Sequence, residues 1–181
     1  MRDQRDANAP VVLLILAAGA FFVSLSCGRQ PSGSDQPSEV ELHRVNEAGL
    51  RERLEANRGD VILLDVWATW CVPCVEAWPK MLKLRDQYSD KGLTILSLSV
   101  NKPVKEQEVR DFLARKGIPG EPLLLDVENF NEFVARVGDK WEGGVPALLI
   151  YDRTGELQYE LLGAEAGKDV EKRIREVLGL Q

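Results

Sequence analysis

The chain has 181 residues, 44% hydrophobic and 29% charged, with a formal net charge of −6. That length accommodates one domain with a true core plus extensions, and the acidic balance excludes nucleic acid as a partner, which requires a basic face. The three cysteines, Cys27, Cys71 and Cys74, are too few and too unevenly spaced for a disulfide-stapled scaffold.

At the N-terminus a polar "MRDQRDANAP" precedes an uncharged apolar run over residues 11–27, followed by "GRQPSGSDQPSE". This order predicts a signal peptide or membrane anchor over 1–27, a flexible linker over 28–38 and a folded domain over 39–181. The apolar run sits at the lower limit for crossing a bilayer, about 17–25 residues. Three fates stay open. Ser26-Cys27 resembles the end of a bacterial lipobox, which makes Cys27 a lipid-attachment candidate, although Ser24 and Leu25 stand where that motif carries Leu and a small residue. Ser24-Leu25-Ser26 also reads as a small-x-small cleavage site, and the segment could equally stay as an uncleaved anchor. Each fate puts the domain outside the cytoplasm, and lipidation or anchoring tethers it to the membrane. A cysteine pair there meets an oxidising setting.

The domain alternates strand and helix signals. "VELHRV" predicts an edge strand, and "NEAGLRERLEAN" a helix capped by Asn46 with Leu50 and Leu54 at i, i+4. "DVILLDVW" is a continuous apolar run, the pattern of a strand buried on both faces. After the cysteines, Val75, Trp78, Met81 and Leu82 form an apolar helix face reaching about Tyr88, with Pro79 inside it to bend it. "LTILSLSV" is a strand; Val109, Phe112 and Leu113 mark a helix ending at Gly117; "PLLLD" is a short strand. Phe130, Phe133, Val134 and Val137 fall at i, i+3, i+4, i+7 and end at Gly138. "VPALLIYDRTGELQYELLG" predicts two strands joined by a turn, and Val170, Ile174, Val177 and Leu178 stripe a last helix. The fold class is therefore α/β, a central mixed sheet flanked by helices.

Cys71-Val-Pro-Cys74 falls at a join of strand and helix. A zinc site would need two further ligands, and the chain offers only Cys27, in the exported segment, and a single histidine, His43; no metal is expected. As a structural crosslink the pair would close a tiny loop and constrain little. The remaining chemistry is redox, with the Cys71–Cys74 disulfide and no other cofactor. Cys71 at a helix N-terminus would have its thiolate stabilised by unpaired N–H groups and the positive dipole end, and the thiolate is the attacking species in disulfide exchange. Pro73 fits the first helical turn, where its missing N–H costs little. Cys74, one turn in, is expected to be more buried and to resolve the mixed disulfide. It must lose a proton inside an apolar site, and Asp65, in the preceding strand, is the candidate base, because burial raises a carboxyl's pKa towards the working pH.

"LLDVWATWCVPC" and "GGVPALLIYDRTGELQYELLG" together resemble the thioredoxin-like superfamily, and with the N-terminal segment the TlpA/ResA-type membrane-tethered thiol–disulfide oxidoreductases. The resemblance implies a thioredoxin-like fold carrying an extra helix–strand–helix from about Val104 to Val137, before a cis Pro146. It also implies that the Val145 backbone pairs with a substrate strand and that Trp70 is a surface aromatic beside the site, although packing serves Trp70 equally well. Trp141, in the loop before Pro146, reads as an anchor or as a core residue. Two departures stand out: Ala77 replaces the Glu that many ResA-like members carry three residues after the second cysteine, and Asp65 matches the buried acid of thioredoxin itself. Proton handling thus looks more like thioredoxin's, which sets the chain apart from a direct copy of the cytochrome c maturation role that the resemblance implies.

The leading function is a protein-disulfide reductase acting on disulfides of exported proteins, such as apocytochrome c or a copper-site protein. It would take electrons from a membrane thiol donor such as a DsbD/CcdA-like protein and work as a monomer. A binding module that delivers copper or docks to a maturation complex is the alternative, although the chain has only Met1 and Met81 as spare soft ligands. A peroxidase would use a lone activated cysteine with an upstream Pro and Thr; Thr69 is close, but no suitable Pro precedes it. With no His between the cysteines, the pair is expected to equilibrate nearer about −270 mV than about −120 mV, and a measured potential above about −170 mV would remove the reductase reading.

Overall fold

Strand β2 (Val61–Trp67) lies inside the sheet, and all seven of its residues are buried. The computed structural model describes residues 40–163 and 166–180, so the signal, linker and Cys27 readings fall outside the described residues. The elements follow as β1 (His43–Val45), α1 (Glu47–Ala56), β2, α2 (Val72–Tyr88), β3 (Leu93–Ser99), α3 (Glu106–Lys116), β4 (Glu121–Leu125), α4 (Phe130–Val137), β5 (Ala147–Tyr151), β6 (Leu157–Leu162) and α5 (Ala166–Leu178). Among the described residues no helix is long and apolar enough to cross a membrane.

The sheet order is β1-β4-β3-β2-β5-β6. The first four strands are parallel, and β5 and β6 are antiparallel to their neighbours, which makes the predicted mixed sheet. Residues of β2 alternate between faces. Ile62, Leu64 and Val66 pack in one cluster with Leu50 of α1 and Phe133 and Val134 of α4. Val61 and Leu63 pack in another with Met81 and Leu84 of α2 and Val170 and Ile174 of α5. Beyond them Trp67 joins Cys71, Cys74, Trp78 and the α3 residues Val109, Phe112 and Leu113. Helices thus cover both faces, as β2's continuous apolar run requires.

The expected helix–strand–helix between β3 and β5 is α3–β4–α4, and its strand sits between β1 and β3. Local signals explain the boundaries. Asn46 caps α1 by accepting from Gly49 N–H at 3.0 Å, and Asn129 caps α4 by accepting from Glu132 N–H at 3.3 Å. Pro79 does lie within α2. The first strand is shorter than "VELHRV" suggested: only His43–Val45 pair with β4, although Val40 and Leu42 ahead of them are buried against the Trp67 cluster.

Gly120, at the entry to β4, marks a close backbone approach. A Cβ there would lie 2.1 Å from the Ile95 carbonyl oxygen. Gly120→Ala must push β4 away from β3, and is expected to cost more than about 2 kcal/mol, read by urea unfolding.

Candidate active site

The turn that leaves β2 delivers Cys71 to the start of α2. Cys71 N–H donates to the Ala68 carbonyl at 3.1 Å, closing the turn, and Val75 N–H donates to the Cys71 carbonyl at 3.1 Å, opening the helix. Cys71 is the N-cap, extended at φ −85° and ψ 98°, and its sulfur accepts from Cys74 N–H at 3.3 Å. Pro73 occupies the first turn, as expected. Cys71 and Cys74 form a disulfide, S–S 2.02 Å, with Cα atoms 5.3 Å apart.

The expected difference in burial between the cysteines is absent. Each is 4% exposed in this oxidised form, because Cys71 packs in the same cluster as Cys74, Trp67 and Trp78. Behind the disulfide, Trp67, Trp78 and Phe112 pack with ring centroids 4.5–5.0 Å apart. Trp78 Nε1 donates to the Gly117 carbonyl at 3.1 Å, which ties α2 to the end of α3.

Asp65 is buried, as a base in the strand beneath the cysteines requires. By the alternation along β2 it faces the α2 side, between Leu63 and Trp67. Its sheet neighbours in register are Ser97 and Leu148. The Ser97 hydroxyl is buried with no hydrogen-bond partner among the described residues. Burial raises the Asp65 carboxyl to about 7.

Pro146 follows a cis peptide and is buried; Val145 before it is half-buried. Among the described residues the structure has no hydrogen bond to the Val145 N–H or C=O. Trp70 is 64% exposed beside the disulfide, so packing does not account for it, and Val72 is similarly open. Trp141 takes the core role of its two readings: it is buried edge-on against Phe130 and Phe133. Among the described residues no cluster of His, Cys, Asp or Glu could hold a metal.

Sequence reasoning missed Asn101. It is buried after β3, and its Oδ1 accepts from Thr69 N–H at 3.0 Å and from the Ser99 hydroxyl at 2.9 Å. Its Nδ2 donates to Thr69 Oγ1 at 2.7 Å, and the Thr69 hydroxyl in turn donates to Glu108 of α3. The turn carrying Trp70 and Cys71 is therefore fastened to the next strand and to α3. A lone Asn after a strand reads as a turn former, and nothing local reveals a partner 32 positions away.

A model of the Redoxin family matches residues 31–178. The chain belongs to the Redoxin family. Among curated relatives, this Redoxin-family chain is 28% identical to the thiol-disulfide oxidoreductase ResA of Geobacillus kaustophilus, over 92% of each chain. It is 30% identical to the thioredoxin-like protein YneN of Bacillus subtilis, over 70% of this chain and 71% of YneN. Among solved structures, a thiol:disulfide interchange protein of the thioredoxin family from Chlorobium tepidum superposes with a TM-score of 0.57 at 20% identity, covering 69% of this chain and 84% of that one. The fold is thioredoxin-like, as the sequence resemblance implied.

The buried acid makes stability depend on pH. Folded, Asp65 holds its proton up to about pH 7; unfolded, it releases it near 3.8. Between those values the folded state binds more protons, so this group's contribution to stability falls as pH rises through the window. Asp65→Asn in the oxidised protein is expected to match wild type near pH 4 and to be more stable at pH 8 by roughly 4 kcal/mol, measured by denaturant unfolding at both values. An equal difference at both pH values would remove the buried charge as its cause.

Proposed function

We propose that the chain is a thiol–disulfide oxidoreductase that works outside the cytoplasm as a protein-disulfide reductase, using Cys71 and Cys74 as its dithiol. The observation that carries this is the disulfide at the N-cap of α2 with a buried carboxyl on the sheet face that α2 covers. The ResA relative, matched over 92% of its length, bears the name of that activity. The uncharged apolar run over 11–27 supports export, with Cys27 or the run itself as the membrane tether.

In the reduced protein the Cys71 thiolate, favoured by the α2 N-terminus and the Cys74 N–H, attacks one sulfur of a substrate disulfide. The Cys71–substrate bond forms and the other substrate sulfur leaves as a thiolate. Cys74 gives its proton to Asp65, whose raised pKa suits it to accept one near neutral pH. The Cys74 thiolate then attacks Cys71 sulfur, the mixed disulfide breaks and the second substrate thiolate leaves. Two electrons pass from the dithiol to the substrate, and a membrane thiol donor returns them through the reverse exchange. The open backbone of Val145, beside Pro146, pairs with the extended substrate segment, and exposed Trp70 lies against it. The unit is a monomer that needs no cofactor beyond the disulfide.

Reduced full-length protein is expected to reduce insulin disulfides. Asp65→Asn should slow the resolving step by about tenfold or more and flatten its rise through pH 7, followed by rapid-quench kinetics. Cys74→Ala, expressed in the source cell, should accumulate mixed disulfides through Cys71. A protein that neither reduces insulin nor traps a partner is a binding module instead.

A further inference from the structure

One carboxylate on the last strand holds the loop between α4 and β5. Glu160 of β6 accepts through Oε1 from Asp139 N–H at 2.9 Å and Lys140 N–H at 3.0 Å. Through Oε2 it accepts from Lys140 N–H at 3.1 Å and Trp141 N–H at 2.8 Å. Three successive backbone N–H groups converging on one anion form a nest, and bonds to an ionised acceptor are roughly twice as strong as neutral ones. Gly138 leaves room for the carboxylate: a Cβ there would lie 2.8 Å from Glu160 Oε2 and 3.0 Å from Trp141 Cβ.

Trp141, the last residue held, carries the constraint onward. Its ring is locked edge-on against Phe130 and Phe133, at centroid distances of 6.2 and 6.3 Å. Its indole N–H donates to the Gly144 carbonyl at 2.7 Å. That carbonyl belongs to the peptide linking Gly144 to Val145. Glu160 itself pairs in register with Leu149 of β5, the strand that the loop feeds. The loop is thus tied at one end by the carboxylate on the β5–β6 hairpin and at the other by the indole, which is itself packed on α4. Gly143, between them, takes φ +87°, and a Cβ there would lie 2.9 Å from Phe130, so the path of the loop is tightly set.

We infer that Glu160 is a positioning residue for substrate recognition: through Asp139–Trp141 and the Trp141 indole it orients the Val145 backbone to pair with an extended segment of the substrate protein. The inference rests on the pairing role proposed above for Val145. Glu160 touches neither sulfur, so its effect falls on peptide binding and not on the reactivity of Cys71.

The test uses reduced full-length protein and three disulfides: a peptide disulfide, the same peptide N-methylated beside its cysteine, and dithiodipyridine, which has no backbone to pair. Glu160→Ala should raise the KM for the plain peptide about tenfold with kcat within about twofold, and leave the dithiodipyridine rate within about twofold. It should also shrink the wild-type preference for the plain over the methylated peptide. Trp141→Phe keeps a smaller aromatic ring against Phe130 and Phe133 and drops the N–H to Gly144, so it should move KM in the same direction, and in a folded variant it decides the matter alone if Glu160→Ala does not fold. Peptide KM within about twofold of wild type in folded variants overturns the proposal, as does an equal loss towards peptide and dithiodipyridine. If wild type does not distinguish the two peptides, the pairing role of Val145 fails first, whatever Glu160 does.

Discussion

The enclosure of β2 is the constraint from which the site follows. The strand is paired on both edges, with β3 and β5, and covered on both faces, so none of its residues reaches water freely. A carboxyl in that strand cannot be hydrated and holds its proton to neutral pH. Directly after the strand the chain turns into α2, whose first N–H groups favour a negative sulfur. One segment therefore carries both the protonated acid of Asp65 and the cysteine pair at a helix start, the two features on which the proposed exchange rests.

The rest of the site gathers at one end of the sheet for a topological reason. The parallel strands β2 and β3 both finish there, and β5, running the other way, begins there, with Ala147 opposite Val66. The turn bearing Cys71, the segment bearing Asn101 and the loop bearing Val145 and Pro146 are consequently neighbours, although they come from widely separated parts of the chain. Sites beyond the carboxyl ends of parallel strands are a general outcome of this architecture. Polar side chains then fasten each segment: Asn101 and Glu108 hold Thr69, and Glu160 holds the loop ahead of Val145.

Much of this was legible in the residues. Helix α4 begins and ends where its apolar spacing and Gly138 put it, because a face repeating at i, i+3, i+4, i+7 leaves one solution. The run "VILLDVW" announced a doubly covered strand, and hence a buried acid, since a strand open on one face alternates. Trp70 and Trp141 were ambiguous because a tryptophan serves equally in a core or at a surface; the folded chain exposes the first and buries the second. The shared burial of Cys71 and Cys74 was misjudged because helical position says how far each residue lies along α2, not how closely Trp67 and Trp78 pack around it.

The sequence by itself determined the order of the elements, the cysteine pair at a helix start and the acid in the strand before it. These rest on periodicity, capping and spacing, which act over a few residues. Only the tertiary structure decided that Asn101 would fasten the Cys71 turn, that Ser97 would lie beside Asp65 and that Glu160 would hold the loop before Pro146. Those contacts join residues about 20 to 32 positions apart, and strand register and packing, not local pattern, set which distant side chains meet.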